Sequence, residues 1–148
     1  MLLGNKLNKD DIKKYISTNS DLINLWSDWF YIPYIPLDSK ECPTYTSAMF
    51  GIKSHYLEFP DDFYIVNETC NVYANFNKAR KIDFNVLPEK MVFELIDYYL
   101  AEYKKYKLKA DEKRKEYYEK QKLNTINAYF DDEPKKSDLP VGMQPLQL

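Results

Sequence analysis

After Pro88 the sequence carries an apolar and aromatic stripe that only a helix keeps on one side. Val92, Ile96, Tyr99, Tyr103, Tyr106 and Ala110 follow one another at alternating steps of four and three residues, break at Lys113 and resume at Tyr117. Steps of that kind make a coiled-coil-like seam. Proline at the first helical position loses no hydrogen bond, and Glu89 beside it suits the positive end of the helix dipole. The pattern predicts a helix from about 88 to about 124, roughly 55 Å long at about 1.5 Å per residue. A domain of this size has a radius of gyration of about 14 Å, so its own core covers only part of such a helix. The rest, "KLKADEKRKEYYEKQK", is expected to lie in solvent or on another molecule.

From 131 to 148 the chain reads as an extended arm, with three prolines, a charged run and no helical period. Leu139, Val141 and Met143 alternate, and Leu146 and Leu148 repeat that spacing after Pro145. In an extended chain each set faces one side, which suits a sheet edge or a groove on a partner protein. These five residues are the expected partner-binding anchors, joined by Tyr117 and Tyr118 from the helix.

Residues 1–130 are expected to form a single α+β domain. Asn8 is a candidate N-cap for a first helix, with Asp10 and Asp11 in its first turn. Leu22, Leu25, Trp26 and Trp29 recur at helical spacing after Ser20 and predict a second N-terminal helix. Pro33 and Pro36 exclude helix in "YIPYIPLD" and predict an extended strap. From His55 to Leu87 the period changes to two. Val72, Ala74 and Phe76 alternate with polar residues, as do Ile82, Phe84 and Val86, and "NKAR" between them predicts a hairpin near 71–87 in a small antiparallel sheet.

Several chemistries lack their residues. The three glycines, Gly4, Gly51 and Gly142, stand too far apart for a phosphate-cradling loop. His55 is the sole histidine, and the two cysteines, Cys42 and Cys70, show no zinc-ligand spacing. No metal or cofactor is expected, and no catalytic residue is assigned. Asp61 and Asp62 follow Pro60 and read as turn residues. A formal net charge of −2 supplies no field for nucleic acid. The basic stretch Lys104–Lys122 is interleaved with Asp111, Glu112, Glu116 and Glu119, so it reads as a self-paired face. No apolar run reaches transmembrane length, and the N-terminus lacks a secretory apolar region. Synthesis in a reducing cytoplasm, with reduced thiols, is the expectation.

Fourteen tyrosines in 148 residues fit an AT-rich genome and also a sticky surface, because tyrosine supplies contact area at low entropy cost. The expected role is a non-enzymatic structural subunit that self-associates or joins other subunits through its C-terminal arm. A bacteriophage virion component of connector, neck or capsid-associated type is the expectation. The alternative is a small phage-type inhibitor or accessory protein that binds a host enzyme or a nucleic-acid-processing complex.

Overall fold

A computed structural model describes residues 7–26, 28–37 and 43–132, with side chains through 130. The chain divides at Glu112 into two units, the second beginning at Lys113. The described residues are mixed α+β, with a five-stranded antiparallel sheet, a two-stranded sheet and a long C-terminal helix.

Helix α1 (Lys9–Asn19) starts where Asn8 caps it, its side chain accepting from the Asp11 N–H at 2.8 Å. It buries Ile12 and Ile16 and stops at Ser20, whose hydroxyl donates back to the Ile16 carbonyl at 2.7 Å. The second N-terminal helix expected from Leu22, Leu25, Trp26 and Trp29 does not form. Leu25 and Trp26 lie on strand β1 (Ile23–Trp26), which Leu22 immediately precedes, and Trp29 begins strand β2 (Trp29–Pro33), paired with Trp26 opposite Trp29. The alternation in "WFYIP", with Phe30 and Ile32 buried, outweighs the helical spacing because β3 (Tyr45–Ile52) offers a partner along its length.

Strands β4 (Tyr56–Phe59), β5 (Asp62–Val66), β6 (Asn71–Asn75) and β7 (Arg80–Asp83) follow. The large sheet runs β1-β2-β3-β4-β7, and the small one is β5-β6. The hairpin expected near 71–87 is therefore corrected: β6 pairs with β5, and β7 pairs with β4. The tight turn is Asn67–Cys70, where the Thr69 and Cys70 N–H groups both donate to the Val66 carbonyl and Cys70 takes a φ of 56°. Strand β3 serves both sheets. Its C-terminal end pairs with β4, while its Thr46 hydroxyl donates to the Val72 carbonyl and its Ser47 hydroxyl accepts from the Ala74 N–H.

The strap after β2 is clamped by a buried amide. Asn71 accepts from the Ile35 N–H and donates to the Ile35 carbonyl, both at 2.9 Å, so this polar group is satisfied where it lies.

Helix α2 (Glu89–Asp132) runs eight residues past the expected end near 124, to the last of the described residues. Its stripe of Val92, Ile96, Tyr99, Tyr103 and Ala110 is buried as the spacing required. Tyr99 stacks on Phe59 at 4.5 Å between centroids, and Phe63 faces Tyr103 and Tyr106. Phe84 is buried, whereas Val86 is 75% exposed because the strand ends at Asp83 in a turn.

Two consequences are measurable. Gly51 sits opposite Trp29, and a Cβ there would meet the indole at 2.7 Å. That ring is held by Phe76 edge-on and by the Lys53 ammonium at 4.5 Å. Gly51→Ala should therefore destabilise the fold by about 1–3 kcal/mol. The readout is a lower urea midpoint together with a shifted tryptophan emission; an unmoved midpoint would show that the ring yields freely.

The second concerns Tyr103, whose hydroxyl donates to Asp21 at 3.0 Å, with the Lys107 ammonium paired to the same carboxylate. Burial, and then the Asp21 charge, raise this phenol above the ordinary range. Tyr15, donating to Asp97 at 2.6 Å, is pushed up to about 12, first by that hydrogen bond. Above about pH 10 the unfolded chain releases phenolic protons that these two groups keep, so the native state binds more protons and stability falls as pH rises. Tyr103→Phe should flatten that alkaline decline of the melting temperature.

Candidate interaction surfaces

The second unit is described from Lys113 to the helix end. Of its residues through Phe130, Arg114 is buried and Tyr117 half-buried; the others are exposed. Tyr118, of the predicted partner-binding pair, is 47% exposed and meets the Tyr117 ring edge-on at 5.7 Å. Leu139, Val141, Met143, Leu146 and Leu148 lie outside the described residues.

The last turns of α2 carry an apolar face that continues past the expected helix end near 124. Leu123, Ile126 and Phe130 stand three and four residues apart, so they share one helix face, and Tyr129 sits edge-on to Phe130 at 5.7 Å. They are 57%, 44%, 67% and 63% exposed, respectively, with Tyr129 last. Four large apolar groups in eight residues exceed the scattered exposure ordinary for a surface helix. The signal is present in "LNTINAYF", whose apolar spacing continues the helical period.

The first unit offers an aromatic patch on the outer side of the large sheet. Because Phe30 and Ile32 point inward on β2, Tyr31 between them points outward, where its ring lies 5.1 Å from Trp26 and 4.5 Å from Tyr45. Trp26 is 54% exposed. Burial, and then the neighbouring Tyr45, raise the Tyr31 phenol above the ordinary range. A helical reading of Trp26 concealed this patch in the sequence.

Also in the first unit, a polar cavity of about 550 Å³ is lined by Asp61, Asp62, Lys78, Arg80, Tyr98 and Tyr99, among others. Asp61 serves the connection to β7, accepting from the Lys78 N–H at 2.5 Å, and Arg80 donates to the Tyr99 hydroxyl at 3.4 Å. His55 is exposed in the β3–β4 turn, with Nδ1 3.1 Å from the Ser54 hydroxyl. No group of three or more histidine, cysteine or carboxylate side chains able to hold a metal occurs among the described residues. No helix among them is long and apolar enough to cross a membrane.

No protein-family model, curated protein or solved structure matches the chain.

Proposed function

We propose that this protein is a non-enzymatic structural subunit that joins a larger assembly through the end of α2 and the residues that follow it. The observation that carries the reading is the exposed apolar face of Leu123, Ile126, Tyr129 and Phe130, immediately before the arm. Such a face, rimmed here by Glu119, Lys120 and Lys122, suits burial against another protein, where aromatic side chains contribute most. Within that class the reading is a bacteriophage virion component of connector, neck or capsid-associated type, supported by small size and a Tyr-, Asn- and Lys-rich composition.

A second reading rests on the Trp26, Tyr31 and Tyr45 patch, which favours an inhibitor or accessory protein with an aromatic binding face.

Deleting residues 134–148 tests the first. The truncated chain should melt at the wild-type temperature, because the buried core of the described residues lies within residues 7–110. It should also stay out of the particles that hold the full chain in a sedimentation gradient. Normal incorporation of the truncated chain would rule out docking through the arm.

A further inference from the structure

Sheet edges are sites of strand addition unless something guards them, and the edges of this protein are guarded unequally. Strand β1 is four residues long and its register shifts between Asn24 and Trp26, so a bulge interrupts it. Strand β7 carries Arg80, Lys81 and Asp83 along its short edge. The far side of β6 is occupied by the Thr46 and Ser47 hydroxyls of β3. Strand β5 has none of these devices. Its five residues pair with β6 in unbroken register, with no proline, no basic residue and, after Asp62, only Phe63, Tyr64, Ile65 and Val66. Among the described residues no strand pairs with its outer side.

We propose that the outer edge of β5 receives residues 139–144 of a second copy of the chain as an added strand. The inference rests on the arm-docking reading and names the arm's receptor. Sixteen residues follow Asp132 (133–148), and they contain a six-residue segment, 139–144, whose one proline selects a phase. In an added strand, alternate residues turn their N–H toward the host edge and the rest turn it away. With Leu139, Val141 and Met143 facing β5, every inward donor as far as Met143 is present and Pro140 falls in the outward phase, where proline is tolerated. In the opposite phase Pro140 would break the ladder near its start. Pro145 occupies the inward phase and ends the strand, which matches the length of β5 to within one residue.

Outward-facing Pro140 also denies a donor to any further strand, so the addition stops at one. The side chains of Leu139, Val141 and Met143 then share a single face of the extended sheet. An arm given to a second copy leaves that copy's own arm for another β5, a head-to-tail contact that closes rings or exchanges within dimers. That is the behaviour of a multi-copy subunit.

Two proline substitutions in the full chain test the pairing, because they place the missing donor in opposite phases of the same segment. Val141→Pro removes an inward donor, and Gly142→Pro places its ring in the tolerated outward phase. Sedimentation equilibrium over a concentration series should show the wild-type chain self-associating. Val141→Pro should weaken association about tenfold or more, and Gly142→Pro should leave it within about twofold. Equal losses in both variants would overturn the strand pairing, and a wild-type chain that stays monomeric at every concentration would overturn its exchange between copies. Hydrogen exchange identifies the cause of a monomeric result: β5 amides protected in a Val141-dependent way would mean that the arm closes on its own chain. If deletion of 134–148 abolishes assembly while the two proline variants behave alike, the arm reading stands and the β5 receptor falls. If the deletion is without effect, the arm reading itself fails.

Discussion

Phe59→Ala should be the most destabilising single change in this protein, lowering stability by about 3–5 kcal/mol. The Phe59 ring is fully buried where the large sheet meets α2, edge-on to Phe50 at 5.6 Å and parallel to Tyr99 at 4.5 Å. Its removal leaves a cavity walled by two aromatic rings, neither of which can close the gap without leaving its own packing. Native domains hold only about 5–15 kcal/mol in reserve, so a large part of the stability would go. A urea titration with tryptophan fluorescence measures the effect. A loss below about 1 kcal/mol would mean that the site collapses freely, contrary to the packing described.

The second large effect falls on association and leaves folding alone. Exchanging Leu123, Ile126 and Phe130 together for glutamate should weaken incorporation into the assembly by more than about 100-fold, since buried interface anchors contribute about 2 kcal/mol or more each. The same variant should melt within a degree or two of the wild type, because exposed substitutions usually change stability by less than about 0.5 kcal/mol. Sedimentation reads the first quantity and circular dichroism the second. Full retention of assembly would remove the helix end from the interface and shift attention to the Trp26, Tyr31 and Tyr45 patch.

The sequence by itself determined what depends on local period and on near neighbours. Asn8 capping α1, Pro88 opening α2 and the buried seam from Val92 to Ala110 were all legible, because a helix satisfies its backbone within itself and needs only one apolar face. The strand character of β6 was legible for the same kind of reason, a period of two, whereas in β7 (Arg80–Asp83) only Ile82 of the alternating Ile82, Phe84 and Val86 lies on the strand.

Tertiary structure alone decided which strands meet. A strand's hydrogen bonds go to a partner that the sequence does not name, so "NKAR" looked like a hairpin turn while β6 went to β5 and β7 to β4. The same lack concealed β1 and β2: Leu22, Leu25, Trp26 and Trp29 fit a helix until β3 is present to pair with the Phe30 and Ile32 strand. The outward Trp26, Tyr31 and Tyr45 cluster follows from that pairing, so it was illegible with it. The helix end differs in kind. Leu123, Ile126, Tyr129 and Phe130 were readable as helix from their spacing, but their exposure was not, because burial depends on surroundings that only the folded chain supplies.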